Sequence, residues 1–160
     1  MKKEKRVWNI LFCLYGVLML ILLFDRSSMA GDIPYWQQVG ANMNLQPFHT
    51  IGNFMDVLLR KEYYLEKWGS ALTYAGQARL AVVNLLGNVV MFVPLGFFLP
   101  KVSPRQRKFW RAMVTTALII LLVEMIQLFS LRGICDVDDL ILNVLGAAIG
   151  YALYQMFTKK

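Results

Sequence analysis

Charge is scarce in this chain of 160 residues: 17% are Asp, Glu, Lys or Arg, against 58% hydrophobic. With a mean hydropathy of +0.49, that balance excludes an ordinary soluble domain of this length. Histidine occurs once, at His49, and cysteine twice, at Cys13 and Cys135. Two cysteines build no disulfide framework, and these three residues form no zinc-ligand spacing. No serine or cysteine stands at a recognisable distance from a base, so no nucleophile of the hydrolase type is legible. Internal repeats and low-complexity tracts are missing too, and residues 1–160 read as one domain.

What is present is long apolar sequence. Four segments, Val7–Phe24, Leu80–Leu99, Ala112–Leu131 and Leu140–Phe157, each have the roughly 18 to 20 residues needed to cross a hydrocarbon core about 30 Å thick. The expected fold is all-α: a multi-pass membrane protein with four transmembrane helices and an extracellular helical cap formed by residues 25–79. Basic residues cluster before the first span (Lys2, Lys3, Lys5, Arg6), between the second and third (Lys101, Arg105, Arg107, Lys108, Arg111) and after the fourth (Lys159, Lys160). These are eleven of the 17, accompanied by a single acid, Glu4. Positive residues are retained on the cytoplasmic side, so both termini are expected there. The pI of 9.6 is then a topology signal, and no nucleic-acid site is read from it.

A basic start, an apolar stretch and Ser28-Met29-Ala30 also resemble a secretory signal with its cleavage site. The apolar stretch exceeds the usual length of such signals, which favours a retained span. Cys13 is expected to pack within that span, and Cys135 to be incidentally exposed in the outer turn. In the outer segment, "IGNFMDVLLRKEYYLEKW" puts Ile51, Phe54, Met55, Leu58 and Leu59 on one helical face, predicting an interfacial helix with Tyr63, Tyr64 and Trp68 at headgroup level. The preceding "NLQPFHTI" reads as a Pro-containing loop in which His49 is structural, because nothing acidic lies at a diagnostic spacing from it.

Polar residues inside the spans are the candidates for function. At a rise of 1.5 Å per residue, Asn84, Gln127 and Asn143 fall roughly 6 to 7 Å from one end of their spans, and Asn88 and Glu124 roughly 12 to 13 Å. All five belong to the outer half. Asn84 and Asn88, Glu124 and Gln127, and Asp139 and Asn143 are i,i+4 or i,i+3 pairs, each sharing one helix side. A carboxylate in lipid costs about 2.5 to 3.5 kcal/mol on the insertion scale, so Glu124 should face protein or water. The expectation is a polar funnel, rimmed by Arg132, Asp136, Asp138 and Asp139 and floored by Glu124 and Asn88. The packing alternative is preferred for Gly87 and for the GxxxG spacing of Gly146 and Gly150; for Asn84, Asn88 and Asn143 it stands level with the functional reading.

"NLLGNVVMFVPLGFFLP", "EMIQ" and "DVDDLILNVLGAAIG", in that order, resemble the VanZ-like family of small bacterial membrane proteins; "NLQPFHTIGNF" is similar to its outer-loop motif. The resemblance maps the family pattern onto Asn84, Gly87, Asn88, Phe92, Pro94, Gly96, Glu124, Gln127, Asp136, Asp139, Asn143 and Gly146, with Asp138 and Arg132 less firmly included. It implies a bacterial plasma-membrane protein, from a family named for a member linked to low-level teicoplanin resistance, and brings no established reaction. Two classes of function follow. One is a non-enzymatic protein that engages a lipid-linked cell-wall precursor, so that glycopeptide antibiotics bind it less, through Asn84, Asn88, Glu124, Gln127, Arg132, Asp136, Asp139 and Asn143, with no cofactor. The other is an enzyme on a lipid headgroup, with Glu124 as acid or base and Asp136 and Asp139 orienting a hydroxyl or a Mg²⁺. With no histidine expected near the carboxylates, the first is preferred. An ion-coupled transporter fits less well, because the inner halves of the spans lack a polar lining. Oligomeric state is not legible.

Overall fold

The computed structural model describes residues 2–24 and 31–158; the triplet Ser28-Met29-Ala30 and the terminal Lys159 and Lys160 lie outside the described residues. Seven α-helices occur among the described residues: α1 (Lys2–Phe24), α2 (Tyr35–Ala41), α3 (His49–Leu59), α4 (Lys61–Trp68), α5 (Ala71–Val102), α6 (Phe109–Phe129) and α7 (Val137–Thr158). Helices α1, α5, α6 and α7 are long and apolar enough to cross a membrane. They coincide with the four expected spans, with different ends. Helix α5 starts nine residues before Leu80, where Ser70 Oγ accepts from Thr73 N–H at 3.3 Å, as an N-cap does. Its 32 residues extend about 48 Å, well beyond a 30 Å core. Helix α6 stops at Phe129, short of Leu131, whose φ of 52° is left-handed and ends the helix.

The principal interface joins α5 to α7. Gly146 and Gly150 of α7 lie against the backbone of Val89 and Val93, and Gly96 of α5 returns the contact at Ala147. A Cβ on these glycines would stand 2.0, 1.8 and 1.8 Å from the opposing carbonyl oxygens. Such close approach is how helices associate in lipid, where apolar surface supplies no water-driven force. Gly87, expected to pack as they do, does not belong to this set, because an added Cβ there meets nothing within 4 Å. Around the seam, Met19 and Leu23 of α1, Phe92, Leu95 and Leu99 of α5 and Ile120 of α6 form one core. Ala112 and Met113 of α6 meet Ala147, Tyr151 and Tyr154 of α7 in another.

Helices α2 to α4 form a cap over the end of the bundle where α1 and α6 finish and α5 and α7 begin. Val39 of α2 packs on Leu128 and Leu131, and Tyr35 donates to Phe129 O at 2.8 Å. The expected single helix over residues 51–68 is broken at Arg60, with φ −109° and ψ 47°. The break folds Tyr64 back, so that its hydroxyl donates to Asp56 Oδ2 at 2.8 Å. Among the described residues there is one exception to the all-helical expectation. Met43–Asn44 (β1) and Cys135–Asp136 (β2) pair in parallel, Met43 opposite Cys135 and Asn44 opposite Asp136, with Cys135 N–H donating to Asn42 O at 2.9 Å.

Candidate functional site

The short β1–β2 pair sets the geometry of everything polar at the cap end. It brings "NLQPFHTI" onto the "DVDD" that opens α7, although about ninety residues separate them. The turn between β1 and α3 has Pro47 at its second position and Phe48, with φ 63° and ψ 10°, at its third. His49 N–H donates to Gln46 O, the pattern of a type II turn. Holding a non-glycine residue there costs roughly 1 to 2 kcal/mol. Asp138 offsets that cost. Its carboxylate, fully buried at 0% exposure, accepts from Phe48 N–H at 2.6 Å and from Ile51 N–H at 3.0 Å. A carboxylate at a helix N-terminus satisfies unpaired donors and meets the positive end of the helix dipole. Asp138, expected on the rim of a funnel, is therefore the bolt that holds α3 to α7.

Asp136 has a related position. Its Oδ1 accepts from Asp138 N–H at 2.8 Å, as an N-cap residue of α7 would. Its Oδ2 accepts from Asn44 Nδ2 at 3.0 Å and from Thr50 Oγ1 at 2.5 Å, and Asn44 Nδ2 also reaches Thr50 Oγ1 at 2.9 Å. Asp139, one residue further and half-buried, accepts from Asn88 Nδ2 of α5. Three neighbouring aspartates thus point to three different tasks: fastening the cap, starting α7, and joining α7 to α5.

Between cap and bundle lies a cavity of about 490 Å³. Its polar lining is Asn44, His49, Thr50, Asn84, Asp136 and Asp139, and its apolar wall is Ala41, Met43, Phe54 and Ile134. The expectation that no histidine lies near the carboxylates is overturned here, since His49 shares the cavity with Asp136 and Asp139. His49 is exposed, and its Nε2 stands 3.4 Å from Asn53 Nδ2. Asn84 is exposed as well and donates to Leu80 O of its own helix at 2.8 Å. No lysine or arginine lines the cavity. Among the described residues, no group of three or more His, Cys, Asp or Glu is arranged to hold a metal ion.

The other expected site residues lie elsewhere. Glu124 and Asn143 are buried below the cavity, at 5% and 4% exposure, and Asn143 Oδ1 has no hydrogen-bond partner among the described residues. Gln127 donates to Leu23 O at 2.7 Å, and Arg132 donates to Phe24 O at 3.1 Å. Both occupy unsatisfied carbonyls at the C-terminus of α1, where a cation also complements the helix dipole. Neither lines the cavity. The funnel is thus divided into an open cavity, a buried polar layer beneath it, and a separate clasp on α1.

The cysteines exchange their expected roles. Cys13 is exposed on α1 and Cys135 is half-buried, against Val39, Leu128 and Leu131. Burial pushes the Cys135 thiol above its ordinary pKa, and the negative charges of Glu124, Asp136 and Asp139 push it the same way. That places Glu124 within electrostatic reach of the loop that carries Asp136.

Four apolar helices with a polar cap folded over one end define a multi-pass helical membrane protein. The model of the VanZ/LLP1 family matches residues 12–158, nearly the whole chain, and the protein belongs to that family. Comparison with curated proteins and with solved structures gave no significant match.

Proposed function

We propose that the cap-end cavity faces the outside of the bacterial plasma membrane and receives the sugar or peptide part of a lipid-linked cell-wall precursor, so that teicoplanin-type antibiotics engage that precursor less. The carrying observation is the lining: two carboxylates, two carboxamides, a hydroxyl and an imidazole, with no lysine or arginine. Such a surface accepts from hydroxyl, amide and ammonium groups, and it repels a bare phosphate. Its size falls within the range of about 300 to 1,000 Å³ typical of small-molecule sites. The outward orientation rests on eleven of the 17 basic residues flanking, in sequence, the other ends of the four spans, which leaves both termini in the cytoplasm. Teicoplanin enters through the family resemblance alone.

Expression in a susceptible Gram-positive host tests this reading. The protein should reduce surface labelling by a fluorescent lipoglycopeptide, and His49→Ala or Asp139→Ala, at equal membrane abundance, should restore it. Labelling that stays at the level of an empty-vector control would sink the proposal. His49 in the cavity supports a second reading, an enzyme that moves a proton on the bound headgroup, with Glu124 or Asp139 as partner. It differs by requiring a changed precursor profile in mass spectra of the lipid extract.

A further inference from the structure

At the opposite end of the bundle, a second cavity of about 290 Å³ lies among the start of α1, the end of α5 and the end of α7. Lys5, Lys101 and Arg107 line it, with Glu4 as the sole carboxylate. The one ion pair among the described residues is Arg60 with Asp56, at the cap, so none of these three cations has a carboxylate of the described residues within 4 Å. The Lys101 ammonium instead sits 4.9 Å from the centre of the Trp8 ring, 5.6 Å from Tyr154 and 5.8 Å from Phe97. Aromatic faces hold a cation in place without neutralising it. Arg107 is fixed through its backbone, because the Tyr151 hydroxyl donates to its carbonyl and Gln155 in turn donates to that hydroxyl. A preorganised site with excess positive charge suits a phosphate.

A second observation identifies what carries the phosphate. One turn along α1 from Trp8, about 6 Å further into the span, an apolar groove of about 310 Å³ opens between α1, α5 and α6. Its α1 side includes Phe12, Gly16, Met19 and Leu23, which continue the stripe on which Trp8 stands. Trp8, which lines the cavity, and Phe12, which lines the groove, both pack on Phe98, at 6.2 and 6.4 Å between ring centres, so the two lie one turn apart on α1 and meet the same ring of α5. At Gly16 an added Cβ meets nothing within 4 Å, which leaves the groove open there. We propose that cavity and groove together bind one anionic phospholipid, its phosphodiester against Lys101 and Arg107 and one acyl chain along α1.

Native mass spectrometry of the full-length protein in detergent, with phosphatidylglycerol or phosphatidylcholine of matched chains, tests the site. One phosphatidylglycerol should be retained in preference to phosphatidylcholine. Lys101→Gln and Arg107→Gln should each weaken retention about fivefold, the weight of one cation near an anionic headgroup. Lys108→Gln, which removes a charge beside the cavity without touching it, should leave retention unchanged, whereas Gly16→Leu should abolish it by filling the groove. Equal retention of both lipids, or an equal effect of Lys108→Gln, would show diffuse surface attraction and overturn the site. Competition by inorganic phosphate with no effect of Gly16→Leu would show a free-anion site and overturn the lipid assignment.

Discussion

Removing the Asp138 carboxylate should release α3 from the bundle and leave the spans intact. The carboxylate accepts two backbone N–H groups, at 2.6 and 3.0 Å, and hydrogen bonds to a charged group contribute about 1.5 to 3 kcal/mol each. The gross loss in Asp138→Ala is therefore about 3 to 6 kcal/mol. Part of it returns, because a buried charge no longer has to be stripped of water; a net cost of about 2 to 4 kcal/mol remains. If the loss appears as local opening, amide hydrogen exchange over residues 48–59 should quicken roughly 30- to 1,000-fold. The α5–α7 seam, built from backbone contacts at Gly96, Gly146 and Gly150, should keep its protection. Asp138→Asn retains one acceptor oxygen and should fall between. Since His49 and Thr50 open α3 and line the cavity, Asp138→Ala should also abolish any activity that depends on the cavity. Unchanged exchange in α3, or equal quickening in every helix, would refute the assignment of Asp138 as a local bolt.

Gly150→Leu should destabilise the protein by at least about 1 to 3 kcal/mol, since its Cβ would overlap the Val93 carbonyl; Gly87→Ala, in open space, should change the unfolding midpoint in detergent by little, and equal effects would contradict the packing described. Cys135 should react with a membrane-impermeant thiol reagent added outside intact cells; reaction only after lysis would invert the orientation. Its raised pKa leaves less thiolate at a given pH, so its labelling rate should lag that of an unperturbed thiol and keep rising at higher pH, and a midpoint at or below that of a free thiol would contradict the burial. Glu124→Gln keeps shape and hydrogen-bonding capacity but loses charge; it should preserve membrane abundance and abolish protection against the antibiotic, and retained protection would reduce Glu124 to packing.

The spans were legible because crossing lipid demands about twenty consecutive apolar residues, a signal that any window of sequence carries. The packing role of Gly146 and Gly150 was legible for a similar reason, since they are spaced by one turn on one helix face; that they meet α5, and that Gly96 returns the contact, was not, because a glycine spacing does not name its partner. The cavity was less so. Asn44, His49 and Thr50 reach the carboxylates through a parallel β pair formed across about ninety residues, and no local periodicity announces such a pairing. Nor does spacing distinguish Asp136, Asp138 and Asp139, whose tasks differ only in which backbone they meet. Gln127 and Arg132 look like polar residues of a site, yet the carbonyls of Leu23 and Phe24 that they satisfy belong to a helix end a hundred residues away. For the His49 stretch, similarity to the family's outer-loop motif was the one available hint.

Binding of a lipid-linked disaccharide-peptide precursor to the purified protein in nanodiscs tests the central claim most directly. Saturable one-to-one binding should occur with the natural sequence, weaken at least about tenfold in both His49→Ala and Asp139→Ala, and persist in Arg132→Gln, whose guanidinium donates to the end of α1 and does not line the cavity. Undetectable binding, or binding that ignores His49 and Asp139, would contradict the assignment of the cap-end cavity as the functional centre.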